Sequence, residues 1–145
     1  MAKENIPLDK QEKYTFQELT NIIAALRAPD GCPWDREQTF ETKKTYLSNE
    51  TQEVFEAVDH HDTANLCEEL GDVLLQVMLY SQIAKDQKLF DISDVIDAIS
   101  RKMIRRHPHV FAGVTISSPE ERDAMWANIK KQEKQLKKGL NATNP

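Results

Sequence analysis

Apolar positions recur at three- and four-residue spacing along most of the chain and nowhere sustain an alternation, so the pattern predicts helices rather than strands. Phe16, Leu19, Ile23 and Leu26 make one stripe behind Thr15 and Glu18, whose spacing is that of a capping box. A first helix therefore starts near Thr15, and Pro29, Gly31 and Pro33 stop it, leaving APDGCPWD as a loop. A second helix is predicted from about Thr39 to His61 and a third from about Thr63 to Lys88, with Gly71 tolerated inside it. The HHDT turn between them is short enough to make them an antiparallel pair. A fourth helix runs from Ile92 to Arg106 and ends before Pro108, and HPHVFAGVTIS reads as a second loop. Ser118, Pro119 and Glu121 supply an N-cap, a proline at the first helical position and an acid at the third, opening a fifth helix to about Lys138. The expected fold class is all-α, a bundle of four to five helices with a central antiparallel pair. Residues 1–14 are expected to form a flexible tail, 15–138 one domain, and GLNATNP at 139–145 a fraying end.

Composition narrows the class. A chain of 145 residues can bury about 70% of its unfolded surface and needs neither disulfides nor a structural metal to fold. With 39% hydrophobic and 30% charged residues it fits neither a disordered chain nor a membrane protein. The longest apolar stretch, Val73 to Tyr80, is too short to span a bilayer. The first residues are polar and mixed in charge, unlike a signal peptide. A net charge of −5 argues against a nucleic-acid coat, and RKMIRRHPH is too short a basic run to change that. Two cysteines, Cys32 and Cys67, make no disulfide framework and suit a reduced, cytoplasmic setting. Residues 70 to 80 are so uniformly apolar that five helices barely cover them, which predicts a homo-oligomer.

The chemistry is suggested by acids in the wrong place. Glu50 interrupts the apolar stripe of the second helix, among Tyr46, Leu47, Val54, Ala57 and Val58, and Glu53 lies three residues on. On the third helix Glu69, Asp72 and Gln76 form one polar ridge along an otherwise apolar cylinder. Acid pairs at such spacing usually face solvent. Two pairs on adjacent helices, both set in apolar stripes, point instead to convergence across the helix interface. Four buried carboxylates would repel, and a divalent cation resolves the repulsion. All-oxygen ligands select Mg²⁺ or Mn²⁺ before Zn²⁺, and Mg²⁺ commonly also takes phosphate oxygens.

Four segments in order, GCPWDREQTF at 31–40, the Glu50-Thr-x-Glu53 segment, EELGDVLLQV at 68–77 and RRHPHVF at 105–111, resemble the MazG family of nucleoside triphosphate pyrophosphohydrolases over roughly residues 15 to 135. The resemblance implies an all-α, oligomeric enzyme that cleaves nucleoside triphosphates to the monophosphate and pyrophosphate with Mg²⁺. It implies Glu50, Glu53, Glu69 and Asp72 as metal ligands, Lys102 and Arg106 as phosphate contacts, and Trp126 and Lys130 as further substrate positions. Where the family signature carries the first of two adjacent glutamates, this chain has Asn49, which cannot serve as a base. Glu53 then becomes the candidate for polarising the attacking water.

Each of these residues also has a structural reading. Lys102, Arg105 and Arg106 can complement the dipole at the end of the fourth helix. Trp34 can stack on a base, seal an oligomer contact or pin its loop, and Trp126 can pack on Ile129. Lys43 and Lys44 either neutralise a substrate or are solvated. His60, His61 and Cys67 match no common zinc spacing. Related all-α enzymes acting on dUTP, dCTP or phosphoribosyl-ATP, and a non-catalytic nucleotide-binding dimer, are the alternative functions.

Overall fold

The computed structural model describes residues 6–142, and these are all helix and loop. The helices are α1 (Phe16–Arg27), α2 (Pro33–Glu37), α3 (Phe40–Asp59), α4 (Thr63–Asp86), α5 (Ile92–Arg106), α6 (Pro108–Phe111) and α7 (Pro119–Ala142). They fall into two compact units that divide between Val95 and Ile96.

In the first unit α1 opens on a reciprocal cap. Thr15 Oγ1 accepts from the Glu18 amide at 3.2 Å, and Glu18 Oε2 accepts from the Thr15 amide at 2.7 Å. Glu18 also binds Lys10 at 2.8 Å, and the Tyr14 hydroxyl donates to the Pro7 carbonyl at 2.6 Å. The described part of the N-terminal stretch is thus tethered to α1. After Ala28 the chain doubles back over the end of α1, where the Cys32 amide donates to the Leu26 carbonyl at 2.8 Å. A Cβ on Gly31 would lie 2.3 Å from that same carbonyl oxygen, so only glycine fits the fold-back.

Two segments expected to be loops each contain a short helix. Pro33 and Pro108 end the preceding segment, but each also occupies an early position of a new helix, where its missing N–H costs nothing. Arg27 secures α2 by donating to the carbonyls of Asp35 and Gln38, and its Nε donates to Asp86 on α4 at 2.9 Å. One guanidinium therefore ties α1, α2 and α4 together.

The pair α3 and α4 forms the centre of this unit, joined by His60, His61 and Asp62. His61 takes a left-handed φ of 54°, and Asp62 caps α4 by accepting from the Asn65 amide at 3.0 Å. The Tyr80 hydroxyl donates to the Phe40 carbonyl at 3.0 Å and the two rings stack, so the end of α4 meets the start of α3. The antiparallel arrangement follows. Ile23 of α1 and Met78 and Leu79 of α4 form the core, flanked by Leu19, Leu26, Leu75 and Ile92.

Burial on α4 is uneven. Its second half holds Met78, Leu79, Ile83 and Ala84 out of solvent, while Leu70 and Leu74 in the first half are exposed. The expected all-round cover is present only where α1 joins α3 against it. The two leucines remain apolar surface within one chain.

In the second unit α7 begins at Pro119, with Ser118 Oγ accepting from the Glu121 amide at 3.2 Å. It continues to Ala142, past the expected end at Lys138. Gly139 alone weakens a helix by only ~1 kcal/mol, too little to stop one already formed. The last three residues of the expected fraying end lie outside the described residues.

Candidate metal centre

The seam between α3 and α4 explains where the acids sit. On α3 the inward positions run Lys43, Leu47, Glu50, Val54 and Ala57, spaced four and three residues apart. On α4 they run Glu69, Asp72, Gln76, Leu79 and Ile83. The same stripe that is apolar core in the second half of α4 is polar in its first half. Helix geometry that would bury a leucine there turns carboxylates inward instead.

Glu50, Glu69 and Asp72 each offer a carboxylate oxygen within 4.8 Å of the others. Glu53, on the exposed edge of α3, lies close enough to Glu69 to act on its carboxyl. The structure thus brings three of the four expected ligands into one group and sets the fourth against it. Among the described residues no other group of histidines, cysteines and acids gathers in this way; His60, His61 and Cys67 are exposed at or near the turn.

The electrostatics are unfavourable as they stand. Burial raises the Glu69 carboxyl above the ordinary range, and Glu53, Asp72 and Glu68 push it the same way. Glu50 is also raised, by burial first and then by Glu53 and Asp72, with Lys43 opposing. One Glu69 oxygen, Oε2, is shut off from solvent with no hydrogen-bond partner, and Gln76 Oε1 shares that condition. Buried acceptors without donors are costly. A set of hard oxygen donors that includes a carboxylate with an orphaned oxygen fits a divalent cation such as Mg²⁺ or Mn²⁺.

Lys43 is the residue the sequence reading misplaced. Taken there as a solvated or substrate-neutralising lysine, it is 5% exposed, with Nζ 4.0 Å from the Tyr46 ring centroid. Burial lowers its affinity for a proton, against the opposing pull of Asp35 and Glu50. Its place four residues before Leu47 and seven before Glu50 is the signal that could have found it, because that register faces inward. Lys44, one residue on, is exposed and pairs with Glu41 at 3.5 Å.

The other expected substrate residues are spread over the chain. Trp34 lies on α2 and is 75% exposed. Asn49 is exposed beside Glu50. Lys102, Arg106, Trp126 and Lys130 belong to the second unit. There Arg106 Nη2 donates to Glu133 at 3.0 Å and Arg105 Nε to the same carboxylate at 2.7 Å. Both hydrogen bonds favour the ionised acid, and Glu133 falls to about 2. Trp126 Nε1 donates to the Arg106 carbonyl at 2.8 Å, and its ring meets His107 edge-on and Arg122 through a cation–π contact. Those contacts hold the indole. Lys102 is half-buried and Lys130 exposed.

Residues 38–111 match the model of the MazG nucleotide pyrophosphohydrolase domain, a span that contains all four acids. The chain is 49% identical over 132 residues to the Bacillus subtilis protein YabN, covering 89% of this chain and 27% of that one. It is 47% identical over 129 residues to the nucleoside triphosphate pyrophosphohydrolase/pyrophosphatase MazG of Thermotoga maritima, covering 89% of this chain and 49% of that protein. It therefore spans half or less of these curated relatives. The crystal structure of a mazG-related protein from Thermotoga maritima superposes with a TM-score of 0.67 at 35% identity, covering 79% of this chain and 98% of that one.

Proposed function

This chain belongs to the family of MazG nucleotide pyrophosphohydrolase domains, and on that footing we propose that it hydrolyses nucleoside triphosphates to the monophosphate and pyrophosphate. The observation that carries the reading is the meeting of Glu50, Glu69 and Asp72 in the seam of α3 and α4, with a solvent-excluded oxygen that no described residue satisfies.

In this reading Glu50, Glu53, Glu69 and Asp72 hold Mg²⁺, with Mn²⁺ as a substitute. A cation bound there supplies Lewis-acid stabilisation of the charge that develops on phosphate oxygens. Glu53, on the exposed edge of the group, accepts a proton from the water that attacks the α-phosphorus. The new bond forms between the water oxygen and that phosphorus, the bond to the bridging oxygen breaks, and pyrophosphate leaves. Lys102 and Arg106 steady the leaving group, while Lys130, Trp126 and Trp34 contact the rest of the nucleotide. For Arg106 this means sharing a guanidinium already engaged by Glu133.

Two further expectations belong here. Exposed Phe55, Val58, Leu70 and Leu74 on α3 and α4 support assembly as a homodimer or homotetramer. Two free cysteines are compatible with a reduced, cytoplasmic setting, and no helix among the described residues is long and apolar enough to cross a membrane.

The test is a screen of canonical, deoxy and oxidised triphosphates for pyrophosphate release, with and without Mg²⁺, in the wild type and Glu69→Gln. Mg²⁺-dependent release that Glu69→Gln abolishes is expected. Release confined to dUTP, dCTP or phosphoribosyl-ATP would narrow the substrate. Tight nucleotide binding with no turnover of any triphosphate would make the chain a non-catalytic binding module.

A further inference from the structure

Lys43 raises a question that the acids alone do not. A lysine that is 5% exposed normally sits against a carboxylate or a carbonyl. Among the described residues its ammonium makes neither a hydrogen bond nor an ion pair; the face of Tyr46 is its near contact, at 4.0 Å. A cation–π contact offsets part of the desolvation, and the carboxylates that act on the charge without touching it are Asp35 and then Glu50. The same face of α3 carries Glu50 two helical turns further on, and Tyr46 lies between them. The Lys43 charge is thus set at the end of an acidic seam that holds several negative charges.

We propose that Lys43 is a resident counter-charge of the acidic seam, a positioning residue that supplies part of the positive charge the carboxylates call for and thereby sets how much divalent cation the site needs before it fills. The inference rests on the metal reading above and extends it to a residue that is itself no ligand. A fixed positive charge near the ligands favours their convergence in the metal-free chain and repels an incoming cation. Because Lys43 is 5% exposed and the Lys44 side chain 70% exposed, salt screens the effect of Lys43 less than that of Lys44. Lys44 provides the internal comparison, since it carries the same charge one residue away on the exposed face.

The experiment is a titration with Mn²⁺ alone, followed by calorimetry and by the electron paramagnetic resonance of the free ion, on the full chain without nucleotide. Lys43→Met is expected to bind Mn²⁺ about three- to tenfold more tightly than the wild type, an order set by one unit charge acting at intermediate dielectric. Lys43→Arg keeps the charge and is expected to keep the wild-type affinity. Lys44→Met is expected to shift affinity less, and its shift to vanish at high ionic strength while that of Lys43→Met persists. Circular dichroism checks the fold, and Lys43→Gln reads the same loss of charge should the methionine variant fail to fold. Equal or weaker binding in Lys43→Met and Lys43→Gln, with Glu69→Gln still abolishing it, overturns the role of Lys43 and leaves the metal site standing. No Mn²⁺ binding by any of the chains overturns both.

Discussion

In the first unit Glu69 shares a space with Glu50, Glu53 and Asp72, whereas in the second Glu133 stands between Arg105 and Arg106. Two glutamates on helices of one chain are pushed in opposite directions. Glu133 is satisfied by its neighbours and needs nothing from outside. Glu69 has like charges around it and a buried oxygen with no donor, a condition that a fold tolerates where something else completes it. The contrast separates a charge cluster that holds structure together from one that a cation would complete in the reading proposed above. It also bears on Arg106, whose guanidinium belongs first to the structural cluster and is available to a phosphate only as a shared donor.

Glu69→Gln breaks this comparison most sharply. Turnover is expected to fall by at least about 100-fold, the scale seen when a metal site loses a ligand or its support. Thermal stability of the metal-free chain is expected to hold or rise, because one repelling charge has gone. A variant that loses activity by unfolding would show the reverse in its melting temperature. That outcome would return Glu69 to the structural class with Glu133.

Met78→Ala asks how far the site depends on the core behind it. Met78 is 2% exposed and packs with Ile23 and Leu79, about one and two-thirds helical turns beyond Asp72. A loss of about 2–5 kcal/mol is expected from chemical denaturation, by cavity formation as much as by transfer. If the cluster is organised by the seam, Mn²⁺ affinity falls together with stability. Unchanged affinity in a destabilised chain would mean that the polar half of α4 holds its geometry alone.

The central pair and its acids were legible because Glu50, Glu69 and Asp72 occupy positions where the spacing of Leu47, Val54, Leu79 and Ile83 demands an inward face. Acids there contradict their own register, and contradiction is a readable signal. Lys43 lies in the same register and is not legible there, since a long side chain can reach solvent from many positions and a lysine only 5% exposed is the rarer outcome. The short helices α2 and α6 were hidden by the double meaning of proline, which stops one helix and starts another. The Glu133 pairing was not legible at all. It joins residues 27 and 28 apart in sequence, and no local pattern ties Arg105 or Arg106 to one acid among several on α7.

The pH profile sharpens the contrast with a smaller effect. Glu50 and Glu69 lie above the ordinary 4.5, so above that pH the folded chain holds more protons than the unfolded one. Stability of the metal-free chain therefore falls as pH rises through their raised values. Glu133, at about 2 when folded, works the other way: its contribution is full above about 4.5 and is lost as pH drops toward 2. Melting temperature against pH should then peak near the ordinary carboxylate value. Mg²⁺ should flatten the upper arm, Glu69→Gln should reduce it, and Glu133→Gln should reduce the lower arm alone. An upper arm unmoved by either Mg²⁺ or Glu69→Gln would detach it from the acidic cluster.

The smallest effect concerns the helix that delivers Glu50. Thr39 Oγ1 accepts from the Thr42 amide at 3.2 Å while Thr42 Oγ1 accepts from the Thr39 amide at 2.9 Å, closing the first turn of α3 from both sides. Thr39→Ala removes one half of that exchange and should cost about 1 kcal/mol. On a domain of this size the melting temperature should drop by about 2–8 °C. Glu50 lies about three turns downstream, in the part of α3 clasped by α4, so turnover at a temperature well below melting should change by no more than about twofold. A loss of activity on the scale of Glu69→Gln would show that the acids converge only when the far end of α3 is held, and the cluster would then owe its shape to the whole helix rather than to the seam around it.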